Sequence, residues 1–170
     1  MAIRFSVFIA TSLDGFIARE DGSFDWLDPF TEDHGYDAFF AGVDALVIGR
    51  GTYDTVLAFP DWPYGDKRLI VCTSRPTTPR HGEEIWSGPP RALAERLERE
   101  GVRSVYLDGG ALIRGFLREG LVDEMAIHVV PLILGSGIPL FAKGLPEIPL
   151  RFMESKSYPS GLVKLRYQRA

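Results

Sequence analysis

Hydrophobic and polar positions along this chain fall into short blocks whose period switches between two and about 3.6. Ile3, Phe5, Val7 and Ile9 alternate with Arg4, Ser6, Phe8 and Ala10, a two-residue period with both faces fairly apolar, which predicts a central strand. Residues 11–30 carry the turn signals Asp14-Gly15, Asp21-Gly22 and Asp28-Pro29 and read as one long loop, a length that in a compact domain usually serves a function. A helix is predicted over 31–42, with Tyr36, Phe39 and Phe40 at core-facing spacing. Ala45-Leu46-Val47-Ile48 reads as a buried strand entering a short helix, and Lys67–Cys72 as another strand. The second half repeats the alternation. A weak strand near 83–86 precedes a helix at 90–100, with Leu93 and Leu97 on one face and Arg91, Glu95 and Arg99 outside. Ser104–Leu107 is a strand, followed by a helix carrying Leu112, Ile113, Phe116 and Leu117, then a strand through Met125, Ile127 and Val129. Strands at 150–156 and 162–168 flank Tyr158-Pro159-Ser160-Gly161 and predict an antiparallel hairpin. The pattern describes an α/β domain: a mostly parallel central sheet flanked by helices, with a C-terminal antiparallel hairpin.

Composition narrows the class. A chain of 170 residues is one domain of ordinary size, able to bury about 70% of its unfolded surface. A net charge of −4 argues against a nucleic-acid or anionic-membrane partner. No apolar run reaches the ~18 residues of a membrane span, and no signal segment opens the chain, so the cytoplasm is the expected location. The single cysteine, Cys72, rules out an internal disulfide and reads as an inert buried thiol. His34, His81 and His128 lack metal-ligand spacing, so no metal is expected. His128 lies within a strand pattern, either exposed or hydrogen-bonded in the core.

Candidate chemistry gathers where predicted strands end, because ligands of open α/β sheets bind at the carboxyl ends of strands. Val105–Ile113 passes from an apolar run through Asp108, Gly109 and Gly110 into a helix. Glycine lets an anion lie against backbone N–H groups at such a turn, although glycines also serve turns that bind nothing. Gly49-Arg50-Gly51-Thr52 offers backbone donors, a hydroxyl and a guanidinium suited to a pyrophosphate, without the third glycine of a Rossmann fingerprint. Thr73-Ser74-Arg75 places two hydroxyls and a fork-shaped cation after a strand, suited to a phosphate monoester or simply to a solvated turn. Trp26, in the long loop, reads equally as core packing or a ligand contact.

Taken in order, Ser12-Leu13-Asp14-Gly15 with Ile17-Ala18, Gly49-Arg50 with Thr52-Tyr53, Asp108-Gly109-Gly110, and Gly120–Glu124 leading to Pro131–Gly137 resemble the dihydrofolate reductase-like superfamily. Nearest in pattern is the reductase domain of bacterial riboflavin biosynthesis, the C-terminal part of the bifunctional deaminase–reductase. The resemblance covers nearly the whole chain, taken as a single domain over 1–170. It implies NADPH-dependent hydride transfer to a small heteroaromatic substrate, pteridine-like or a ribosylaminopyrimidine such as 5-amino-6-(5-phosphoribosylamino)uracil. Ala10 and Ile17 would line the nicotinamide pocket under a lid formed by residues 11–26. Gly49, Arg50 and Thr52 would hold the pyrophosphate, Thr73, Ser74 and Arg75 the 2′-phosphate, and Gly109, Gly110, Ala111 and Leu112 would cover the phosphates from the other side. Asp108 is the implied substrate contact or proton donor, with Asp14 and Trp26 as further substrate contacts. Glu32 and Asp33 stand near the position of the folate reductases' substrate carboxylate, at a different spacing, and Asp33 is retained as a second catalytic candidate. The segment 125–141, with Ile138-Pro139-Leu140-Phe141, would supply a homodimer face, although core packing accounts for the same residues nearly as well. Two alternatives remain open at this point: a dihydrofolate reductase proper, and a nucleotide-binding module without turnover. The zinc deaminase half is absent, and Asp61-Trp62-Pro63-Tyr64 stands near where riboflavin reductases carry an Asp-Asp-Pro phosphoribose grip.

Overall fold

A computed structural model of the protein describes residues 2–170. The strands are β1 (Arg4–Thr11), β2 (Phe16–Ala18), β3 (Ala45–Gly49), β4 (Arg68–Cys72), β5 (Glu84–Trp86), β6 (Ser104–Asp108), β7 (Glu124–Val129), β8 (Ile138–Pro139), β9 (Leu150–Ser157) and β10 (Val163–Arg169). The helices are α1 (Tyr36–Ala41), α2 (Arg50–Leu57), α3 (Pro90–Arg99) and α4 (Gly110–Arg118). Eight strands form one sheet in the order β5-β4-β3-β6-β1-β7-β10-β9. Every pairing from β5 through β7 is parallel, and β10 joins β7 and β9 in antiparallel fashion. The predicted α/β architecture, with its C-terminal hairpin, is therefore the observed one.

The two-residue period sorts each strand onto two cores. Phe5, Val7, Ala45, Val47, Val105 and Leu107 face α3 and α4, where Leu93, Leu97, Ile113 and Phe116 are fully buried. Their strand neighbours Leu46, Ile48 and Tyr106 face the opposite side, against Tyr53, Val56 and Tyr64. This parity puts Asp108, two residues beyond Tyr106, on the second face at the end of β6. Pro90 opens α3, where its missing N–H costs nothing.

Two expectations change. The long loop after β1 is tied down rather than free to act as a lid. Its Phe16–Ala18 stretch pairs with β8, and Asp14 accepts from the backbone N–H groups of Leu134 and Gly135 at 3.1 and 2.8 Å. The helix expected over 31–42 starts only at Tyr36. Asp33 accepts from the Gly35 N–H at 2.9 Å, and Gly35 sits at φ +88°, a backbone state that breaks a right-handed helix. Within the segment Ile138–Phe141, Ile138 and Pro139 pair with β2 and Leu140 is fully buried, while Phe141 is exposed. Among the described residues, no helix is long and apolar enough to cross a membrane.

Candidate active site

Two short helices begin side by side where β3 and β6 end. Gly49 terminates β3 and precedes α2, and Gly109 follows β6 and precedes α4. Neither helix carries a side-chain cap at this end, so its first backbone N–H groups have no partner within the helix and present partial positive charge. A Cβ on Gly109 would stand 2.9 Å from Thr52 Oγ1 and 3.4 Å from the Gly49 nitrogen, and its φ of +110° disfavours any other residue. The two turns thus touch each other through a contact only glycine permits. A Cβ on Gly110 would lie 3.0 Å from Ile17 and 3.2 Å from the Pro139 carbonyl oxygen. The resulting cradle fits a dinucleotide pyrophosphate: paired glycine turns, two uncapped helix starts and the Thr52 hydroxyl.

From this cradle a cleft of about 630 Å³ runs toward the end of β1. Ala10, Ile17, Gly49, Arg50, Thr52, Asp108, Gly109, Gly110, Ala111 and Leu112 all line it, so most of the residues singled out in the sequence come together. Arg50 is held by Asp54 at 2.8 Å and also donates to Thr77. Thr73, Ser74 and Arg75 follow β4 beside this corner, outside the cleft wall. Cys72 pairs in register with Gly49, and the Arg75 guanidinium lies 3.8 Å from Asp54. Asp54 therefore bridges the two arginines.

Beyond Gly109 the wall becomes aromatic. Phe8, Tyr36, Tyr64 and Tyr106 line the cleft with Asp108, and the three tyrosines lie close enough to feel its charge. Tyr36 packs edge-on against Phe8 and Tyr106, with centroids 5.5 and 6.2 Å apart. Burial pushes the Asp108 carboxyl up to about 6, against the Gly109 backbone and Tyr106 hydroxyl that favour its charged form. Tyr36 rises to about 12 by burial and by the nearby Asp108 charge. Tyr64 and Tyr106 are pushed higher for the same two reasons. Phe8, Phe24, Phe59 and Arg114 were not assigned to a site from the sequence, and Tyr64 was noted only within Asp61–Tyr64. Their signal was present only as aromatics scattered over β1, the loop after β2 and the segment after α2, with one arginine on α4, which no local spacing could unite.

Four assigned residues lie elsewhere. Trp26 is buried with Val130 and Leu162 in a small third core, so its role is packing. Asp14 takes a 2.5 Å hydrogen bond from Ser12 and the two backbone bonds to residues 134 and 135, which hold its carboxyl below its usual range. That carboxylate is the clasp of the loop. Asp33 caps the turn at Gly35, and Glu32 accepts from Ser160. Neither lines the cleft. Cys72 is pushed up to about 12 by burial, in keeping with an inert thiol. His128 is buried, its ring tilted against Phe8 at 4.4 Å and against His34 at 5.5 Å, and neither ring nitrogen makes a hydrogen bond of good geometry. Burial lowers its pKa to about 4.

Comparison with known proteins agrees with this architecture. The protein YwjB of Bacillus subtilis (strain 168) is 42% identical over 170 residues, covering 96% of this chain and 97% of its own. The crystal structure of a putative riboflavin biosynthesis protein from Shewanella sp. PV-4 superimposes with a TM-score of 0.91 at 37% identity, covering 99% of both chains. A Thermotoga maritima diaminohydroxyphosphoribosylaminopyrimidine deaminase/5-amino-6-(5-phosphoribosylamino)uracil reductase shares the fold, with a TM-score of 0.75 at 16% identity over 99% of this chain and 57% of its own. The fold extends to a dihydrofolate reductase from Enterococcus faecalis complexed with NADP(H), at a TM-score of 0.68 and 15% identity, covering 98% and 96% of the two chains. Residues 5–164 match the RibD C-terminal domain, and the chain belongs to that family.

Proposed function

We propose that the protein is an NADPH-dependent reductase of the riboflavin-pathway type, acting on a small nitrogen heterocycle. The observation that carries this reading is the contact between the Gly49–Thr52 and Gly109–Leu112 turns, which makes one phosphate cradle from two uncapped helix starts. The family membership and the NADP(H) held by a protein of the same fold support it. Gly49, Thr52, Gly109 and Gly110 would hold the pyrophosphate, and Ala10 and Ile17 would flank the nicotinamide. Arg75 and Ser74, beside Arg50, would meet the 2′-phosphate.

When bound, NADPH supplies a hydride. The acceptor carbon of a C=N or C=O bond takes that electron pair, and its heteroatom takes a proton. Asp108 would deliver the proton, a role supported by its place in the cleft next to the cradle and by the burial that raises its carboxyl to about 6. Phe8, Tyr36 and Tyr106 exclude water on that side and orient a flat ring. The decisive assay is NADPH oxidation followed at 340 nm with aminopyrimidine and dihydropteridine substrates. Turnover should decline as pH rises through about 6 and fall about 100-fold in Asp108→Asn. Wild-type turnover with Asp108→Asn unchanged would remove Asp108 from the reaction, and absence of NADPH binding would remove the reading altogether.

A further inference from the structure

The substrate end of the cleft is strongly biased in its chemistry. Asp108 lines it together with Phe8, Tyr36, Tyr64 and Tyr106. Among the described residues lining the cleft, the cations are Arg50 and Arg114. Arg50 is paired with Asp54 and Thr77, and the Arg114 guanidinium donates to the Pro139 carbonyl oxygen and lies against Gly110, on the cradle side of the cleft. Nothing positive offsets the Asp108 charge, whose surroundings act through burial, the Gly109 backbone and Tyr106. Lys67 donates to the Val43 carbonyl and sits over Phe40, and Lys164 lies beside Gly35 and His128; neither lines the cleft. A phosphate dianion beside Asp108 would meet aromatic faces and a carboxylate, whereas the Arg114 guanidinium lies at the Gly110 turn, on the side of the cofactor's phosphates. A flat ring with N–H groups on one edge meets the opposite situation, stacking surfaces and an acceptor.

We propose that the substrate is an unphosphorylated planar nitrogen heterocycle, stacked among Phe8, Tyr36 and Tyr106 and donating N–H hydrogen bonds to Asp108. The proposal rests on the reductase reading for the placement of cofactor and substrate, and it separates this chain from enzymes whose substrate carries a phosphoribosyl group. Tyr64, buried in the second core, adds a further ring to the cleft lining and no positive charge.

The test is calorimetric binding of a matched pair, 5-amino-6-(5-phosphoribosylamino)uracil and the same compound with its phosphate removed. Both are titrated into the full chain alongside an independent NADPH titration. The dephosphorylated compound should bind at least as tightly as the phosphorylated one. Asp108→Asn, which keeps the side chain's shape, should weaken the dephosphorylated compound about tenfold, the value of one charge-assisted hydrogen bond, and narrow the difference between the pair. A tenfold or greater preference for the phosphorylated compound overturns the proposal, as does a preference that Lys164→Ala abolishes. Failure of both compounds to bind at millimolar concentration also overturns it. If NADPH binds and the phosphorylated compound wins, this proposal fails and the reductase reading stands. If the predicted preference appears without NADPH binding, the reverse holds.

Discussion

Replacing Gly109 with alanine probes the contact on which the site depends. A Cβ there would stand 2.9 Å from Thr52 Oγ1 and 3.4 Å from the Gly49 nitrogen. Thr52 is β-branched and fixed in the first turn of α2, so it cannot swing aside as a long side chain could. The two turns must separate. The φ of +110° adds backbone strain of about 1–3 kcal/mol for a residue with a Cβ. For a domain of this size that strain lowers the melting temperature by roughly 3–10 °C. Separation of the turns also removes at least one backbone contact to phosphate, worth about 1.5–3 kcal/mol, or about ten- to hundredfold in Kd. Gly101→Ala supplies the control. Gly101 sits at φ +85° with nothing within 4 Å of its would-be Cβ, in the turn between α3 and β6. It should lower the melting temperature by a similar amount and leave the NADPH Kd within about twofold, because only the strain is shared. Calorimetric titration with NADPH, paired with thermal melts, reads both effects. A folded Gly109→Ala protein that binds NADPH like wild type would refute the paired-turn cradle.

Other substitutions separate further parts of the account. Arg75→Ala should weaken NADPH about tenfold and spare NADH, since only the 2′-phosphate loses its partner; equal losses for the two cofactors would displace Arg75 from the model of recognition. His128, lowered by burial from 6.5 to about 4, stays neutral in the folded state while the unfolded chain takes up a proton. Its contribution is therefore retained above pH 6.5 and lost as pH falls toward 4, by about 2 kcal/mol between pH 7 and 5. Asp108, raised to about 6, acts in the opposite sense over the same range. The reading is thus the difference between proteins: His128→Phe should be relatively more stable than wild type at pH 5 than at pH 7, and parallel pH curves would contradict it. Trp26→Ala should cost about 3–5 kcal/mol through lost packing against Val130 and Leu162. Cofactor affinity should persist in that variant, and a large rise in Kd at a temperature where it remains folded would return Trp26 to the ligand.

The strand pattern was readable because buried strands carry apolar runs of three to four residues bounded by turn signals, as in Ala45–Ile48 and Val105–Leu107. The pairing of β2 with β8 was not, since three residues against two carry no period and their register depends on Gly137 reaching φ +145° beside the Ala18 carbonyl. Residues 31–35 read as helix because the aromatic spacing of Tyr36, Phe39 and Phe40 was extrapolated upstream across an Asp33–Gly35 turn. Much of the phosphate cradle was legible, since its glycines lie in two contiguous motifs that strands β3 and β6 bring together as neighbours. The aromatic wall was hidden. Phe8, Tyr36, Tyr64 and Tyr106 come from β1, α1, the segment before β4 and β6, and only the sheet order makes them neighbours. Tyr106 stood in the same stretch as Asp108, two residues away, and strand parity alone could have placed both on one face. Asp14 and Trp26 misled for a common reason: a polar or aromatic residue in a loop near a site can be committed to holding the loop.

The central claim is that the two glycine turns receive the cofactor's phosphates, and amide chemical shifts of the ¹⁵N-labelled protein titrated with NADPH test it directly. The account predicts the largest shifts at the backbone amides of Arg50, Gly51, Thr52, Gly109, Gly110 and Ala111, because N–H groups that gain an anionic acceptor respond most strongly. Saturable NADPH binding with those amides unmoved, and the shifts gathered elsewhere, would contradict it.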